Sequence, residues 1–269
     1  MEKQLIGRGV LAGAVGGLLA FVFARIVAEP LISRAIDYEG ARDAAQGVLD
    51  KAAGLAAPGH EHEMFSRTLQ GNIGIGTGLV LFGAALGALF AVAYVICLGR
   101  TGRVRPRPLA LLVAAAGFVG FYLVPFVKYP ANPPAVGHEE TIGARSGTYL
   151  IMLFCSVLFL FLAVYWGQKL APRLGSWRTT LLVGAAFLVA IGIVMAVLPS
   201  YDETPLPLKD PDGAIVFPGF SADLLYSFRL YSIGAQVILW TTIALVFAPM
   251  AERVLRPVTR REAREPAHA

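Results

Sequence analysis

The side chains best suited to chemistry in this chain are clustered histidines and glutamates. His60-Glu61-His62-Glu63 sets two imidazoles two residues apart, and in a loop or extended segment that spacing turns both to one face. His138-Glu139-Glu140 supplies a second run of three candidate ligands. Imidazole with carboxylate suits borderline divalent ions such as cobalt, nickel or zinc, whereas soft copper(I) calls for more sulfur. Histidines beside glutamates are common on surfaces, so each run alone fits a solvated loop as well as a capture site. Their shared side of the chain's topology, derived below, favours capture.

Other chemistries lack their signatures. There is no GxxxxGK[ST] for nucleotide hydrolysis, no HExxH for a zinc protease and no GxSxG for a serine hydrolase. A membrane enzyme using Arg229 and loop carboxylates on a lipid-linked substrate is the weakest reading. Cys97 and Cys155 both sit in apolar runs without CxxC spacing, so they read as small hydrophobes. No tightly bound cofactor is expected.

The elements that must position these groups are membrane helices. Hydrophobic residues make up 56% of the 269 and charged residues 15%, with a mean hydropathy of +0.64. A soluble domain carries about 25% charged residues. So much apolar surface predicts an all-α, polytopic helix bundle forming one integral membrane domain over 1–269. Six apolar runs, near 5–28, 73–98, 108–127, 147–170, 179–198 and 226–250, are long enough for a hydrocarbon core of roughly 30 Å. The first is read as a retained helix, because it runs past Ala24, contains Arg25 and precedes no A-x-A site. The net charge of +5 lies in short clusters between these runs, which argues for topology signals and against nucleic acid.

Basic residues then orient the bundle. Thirteen, from Lys3 through Arg100–Arg107 and Lys169–Arg178 to Arg253–Arg264, share one side in short segments, against seven on the other. That asymmetry predicts both termini inside, with a basic cytoplasmic tail at 251–269. The long loops near 29–72, 128–146 and 199–225 consequently face outward, and they hold His60, His62 and His138. In the first, Leu31–Leu55 reads as an amphipathic helix on the membrane surface or over the bundle, ended by Ala57-Pro58-Gly59. In the second, Pro130, Pro133 and Pro134 make Tyr129–Val136 a stiff, extended or polyproline-like connector. The third, with five prolines, reads as irregular and stiff, lined by Asp202, Glu203, Asp210 and Asp212.

Within the spans, glycines at four-residue steps (Gly9, Gly13, Gly17; Gly74, Gly78; Gly83, Gly87) signal close helix packing. The uncharged fifth span suits a lipid-facing or structural position. Arg8 and Arg25 read as arginines reaching for headgroups. Arg229 is expected to pair with Glu29 or Asp202 at the same depth. Glu29, Lys128, Tyr129, Asn132, Arg229 and Gln236 are the expected pathway or structural residues. Mid-depth ligands are few: Gln236, Thr77, Ser156, Met152, Met195 and backbone carbonyls.

KYPANPPAVG at 128–137, followed by a helix starting RSGTYLIM at 145–152, resembles the CbtA family of cobalt transporter subunits. The likeness extends to Glu29-Pro30, the Tyr38-Glu39 pair, the histidine-bearing first loop and the glycine-rich second span. It continues through Phe228, Arg229, Ser232, Gly234, Gln236 and Trp240. The segment LPLKDPDGAIV at 206–216 looks like an insertion relative to the family. The resemblance implies a multi-pass protein of the bacterial inner membrane that takes up divalent cobalt for cobalamin synthesis. It also implies a small, histidine-bearing membrane partner of the CbtB type; a homo-oligomer is a further arrangement the bundle allows. The alternative function is a non-transporting scaffold or regulatory subunit whose proline-rich loops dock a partner.

Overall fold

The computed structural model describes residues 1–55, 74–100 and 104–262, with side chains as far as Leu255. Its elements are α1 (Glu2–Phe23), α2 (Glu29–Ala52), α3 (Ile75–Cys97), α4 (Pro106–Gly117), α5 (Val124–Lys128), α6 (Ile142–Leu174), α7 (Ser176–Val197) and α8 (Ala222–Glu262). Among the described residues, six helical stretches are long and apolar enough to cross a membrane, as the sequence predicts. Helix is the backbone's solution here because lipid offers no partner for an unpaired N–H or C=O. The long connections at 128–141 and 198–221 gather at one end of the bundle, here the loop end.

The first span does not stop at Glu29-Pro30. It runs unbroken from Glu2 to Ala52, 51 residues, or about 77 Å of helix, more than twice the hydrocarbon thickness. The helix expected on the membrane surface or over the bundle is thus the upper half of the first span, standing out at the loop end, and its first turns pack over the bundle through Leu31 and Ala35. Proline usually breaks a helix because it lacks an N–H and clashes with the carbonyl four residues back. A π-helical turn at Ala24–Ala28 widens the helix before Pro30, and the Glu29 N–H bonds the Ala24 carbonyl five residues back. The same device recurs in the third span. There a π turn at Phe118–Leu123 precedes Pro125, and the Val124 N–H reaches the Val119 carbonyl. Local π adjustment is a known way for spanning helices to tolerate proline.

The glycine steps do pack helices. A Cβ added to Gly13 would land on the Gly83 carbonyl, and one added to Gly87 on that of Gly9, so α1 and α3 touch backbone to backbone. Gly78 faces open space and takes no part. α8 closes this unit by packing on α1 and α4, and Phe90, Tyr94 and Phe247 meet with ring centroids 5.0 Å apart for the two pairs involving Phe247. Arg8 ties α1 to α8 through the Met250 carbonyl, in place of the expected reach to headgroups, because that carbonyl lies beside it. Arg107 pairs with Glu252 at 2.5 Å at the same end.

The α6–α7 hairpin stands apart. Only 11% and 6% of its spans' apolar windows are buried, against 28–33% in the other four. The uncharged fifth span is therefore peripheral, as expected. The hairpin joins the bundle through α5 and the π turn before it, where Val124, Met152 and Ile191 form a small core.

At the loop end, α2 packs through Leu31 and Ala35 against Val136, Phe220 and Leu224. Tyr38 lies 5.0 Å from the Phe220 ring and donates to the Pro218 carbonyl at 3.0 Å. The third loop is more regular than its prolines suggest: Leu208–Lys209 and Ile215–Phe217 pair as an antiparallel ribbon. Asp210 accepts from the Ala214 N–H at 2.8 Å, and Gly213 takes φ +86° to close the turn.

Candidate functional site

Two cavities lie side by side at the loop end, and their linings have opposite charge. The first, about 510 Å³, is lined by Glu39, Arg42 and Asp43 of α2, by His138 of the 128–141 connector, and by Asp202 and Glu203 of the third loop. Glu39 and Asp43 are one helical turn apart, so they share a face. Arg42 helps fix the geometry by donating to the Leu206 carbonyl at 2.7 Å. The connector reaches the cavity through a tight turn at Pro133–Val136, so it is not one uniform extended rod. Ala135 adopts φ +68° there, as the third position of a type II turn requires.

The second cavity, about 480 Å³, is lined by Lys128, Tyr129 and Asn132, by Arg145, Ser146 and Tyr149 of α6, and by Tyr201 and Arg229. Arg229 donates to the Asn132 side chain at 2.9 Å and to the Ala131 carbonyl at 3.4 Å. Of the acids expected to pair with it, Asp202 acts on it through its field, while its hydrogen bonds go to neutral groups. Lys128 bonds the Ser200 hydroxyl at 2.7 Å, and Tyr129 donates to the Pro199 carbonyl at 2.8 Å.

Glu203 divides the two cavities. It accepts the His138 backbone N–H at 2.8 Å and pairs with Arg145 at 3.2 Å. The Thr141 hydroxyl, which can donate to Glu203 or to the His138 carbonyl, is the main influence holding the Glu203 carboxyl below the usual range. The His138 N–H and the Arg145 charge act in the same direction, and desolvation opposes them. Glu39 is displaced the other way, first by desolvation and then by the charges of Asp43 and Glu139.

His60, Glu61, His62 and Glu63 lie outside the described residues. His138 lines the acidic cavity, and Glu139 and Glu140 open a short 3-10 turn, Glu139–Thr141, beside it. Lys128, Tyr129, Asn132 and Arg229 converge on the basic cavity; Glu29 and Gln236 line neither. Among the described residues, no three His, Cys, Asp or Glu side chains are arranged to hold a metal ion. Sequence reasoning had no means of joining Glu39 and Asp43 to Asp202 and Glu203. The one available signal was their shared side of the membrane. Between the bundle and the α6–α7 hairpin, Tyr122 and Ser156 leave buried hydroxyls unpartnered next to the second π turn. Ser156 was visible as a mid-depth polar group, but the π turn was not.

The sequence model of the family described as "probable cobalt transporter subunit (CbtA)" matches residues 2–252, nearly the whole chain. The chain belongs to the CbtA family. It is a multi-pass membrane protein and a transporter subunit, which implies partner proteins and is not an enzyme class. No curated protein and no solved structure matches the chain.

Proposed function

We propose that this CbtA chain admits divalent cobalt through the bacterial inner membrane, with its loop end outward and both termini inside. The observation that carries this reading is the acidic cavity. Glu39, Asp43, Asp202 and Glu203 come from chain segments more than 150 residues apart and converge with His138 on one space at the loop end. Carboxylates concentrate a dication, and an imidazole beside them favours cobalt, nickel or zinc over calcium or magnesium. Glu139 and Glu140 would add charge at its rim, and His60, Glu61, His62 and Glu63 are proposed as further ligands of the capture set. A loose set of acids suits an entry site, since an ion held by a closed tetrahedral shell would not move on.

Lys128, Tyr129, Asn132 and Arg229 then serve as structural supports beside the entry, because their cavity repels a cation. That same basic cavity favours a second reading, in which the stiff loops dock an acidic partner and this subunit transports nothing itself. A small membrane partner of the CbtB type fits either reading.

Cobalt accumulation in cells separates them. Replacing Glu39 and Asp43 with Gln and Asn, or His60, His62 and His138 with Ala, should lower accumulation severalfold while the protein remains in the membrane. Unchanged accumulation in both variants would end the capture role. Orientation is read by labelling Lys209→Cys in intact cells with an impermeant maleimide, over the background of Cys97 and Cys155.

A further inference from the structure

We propose that the basic cavity is a binding site for the phosphate group of an anionic phospholipid in the leaflet at the loop end. Among the described residues, three cations, Lys128, Arg145 and Arg229, line it, and no carboxylate does. Lys128 and Arg229 spend their hydrogen bonds on a hydroxyl, an amide and a carbonyl, so their charge is not cancelled at contact. Arg145 turns toward Glu203 on the side of the acidic cavity and leaves its Nε buried without an acceptor. Asp202 acts on Arg229 through its field and Glu203 pairs with Arg145, but neither carboxylate is part of the described lining, and an anion with several oxygens could bond more than one of these donors.

The shape of the lining points to a lipid. Ile142, Arg145, Ser146, Tyr149 and Leu150 follow the three- and four-residue spacing of one helix face, so the start of α6 forms a single wall. Ile142 and Leu150 are exposed hydrocarbon on that wall, about 12 Å apart along the helix axis. Tyr129, Tyr149 and Tyr201 also line the cavity, and tyrosine is enriched where membrane meets water. Charge, phenol and bare hydrocarbon thus meet within one cavity, as phosphate, glycerol and acyl chain meet in a phospholipid. The volume, about 480 Å³, exceeds the roughly 30 Å³ share of one water many times over and would leave a lone phosphate mostly surrounded by solvent.

The test uses the purified full chain in detergent, with thermal unfolding and native mass spectrometry as readouts. Phosphatidylglycerol, phosphatidylcholine and inorganic phosphate are added in parallel. Phosphatidylglycerol should raise the melting temperature well above phosphatidylcholine and remain bound in the gas phase. In Lys128→Gln/Arg229→Gln its affinity should fall at least about tenfold, through the loss of two charge-assisted contacts. Ser146→Asp places a carboxylate on the exposed wall without removing a buried group, and it should abolish the preference even if the double variant folds poorly. Equal effects of the two lipids would overturn the proposal. A phosphatidylglycerol effect that survives both variants would place the lipid elsewhere and overturn this site. Stabilisation by inorganic phosphate with none from phosphatidylglycerol would overturn the lipid assignment.

Discussion

The two cavities at the loop end share the same connector and nearly the same size, yet one gathers acids and the other bases. The difference lies in which elements reach them. The acidic cavity is assembled above the bundle, from the projecting part of the first span and the third loop. The basic cavity is assembled at the helix ends, where Lys128 closes α5, Arg145 opens α6 and Arg229 lies near the start of α8. Acids are easily kept in an aqueous region, and cations at helix ends can reach headgroups, which is the sorting a membrane protein is expected to show. Glu203 stands at the divide, with its carboxylate on one side and its partner Arg145 on the other. On the two proposals above, separation of this kind would let the subunit attract a dication and an anionic lipid within one small area without neutralising either site.

The largest expected effect comes from breaking the divide. Gly137 takes φ +130°, and a Cβ there would land on the Arg145 guanidinium. Gly137→Ala should cost about 1–3 kcal/mol of stability, read by thermal unfolding, and it should disturb both cavities together. Next, Glu39→Gln/Asp43→Asn should weaken cobalt binding about tenfold, read by calorimetry, while the phosphatidylglycerol preference stays intact. An equal loss at both cavities would show that they are one site.

Acid should separate the two glutamates. The raised Glu39 carboxyl takes up its proton above the ordinary glutamate range, so cobalt binding should begin to fall there. Glu203 is held low, so the stability it contributes is fully present above the ordinary carboxylate range. That stability is lost only as pH falls through its lowered value. Carboxyl-resolved NMR titration should place Glu39 above Glu203, and the reverse order would contradict the assignment. The smallest effect is at the turn. Ala135→Gly removes a left-handed alanine and should add about 0.5–1 kcal/mol by thermal unfolding, leaving metal binding unchanged.

The six spans were legible because hydropathy over some twenty residues decides them. The continuation through Pro30 was not, since proline alone argues for an exit and the π turn that absorbs it leaves no sequence mark. The ribbon at 208–217 was within reach: Asp210-Pro211-Asp212-Gly213 is a turn signature, but five prolines in the loop concealed it. KYPANPP was singled out in the sequence, and the structure places its first five residues in the lining of the basic cavity. His138 was singled out with its neighbours Glu139 and Glu140, whereas the acids that share its cavity are Glu39, Asp43, Asp202 and Glu203. Those contacts span most of the chain, and no local pattern encodes them.

The central claim is that the acidic cavity admits cobalt. Uptake of radioactive cobalt into proteoliposomes, with nickel and zinc as competitors, tests it most directly, using the chain alone and with its small partner. The account predicts saturable uptake in at least one preparation, reduced about tenfold by Glu39→Gln/Asp43→Asn. Uptake that ignores those substitutions, or no uptake in either preparation, would contradict it.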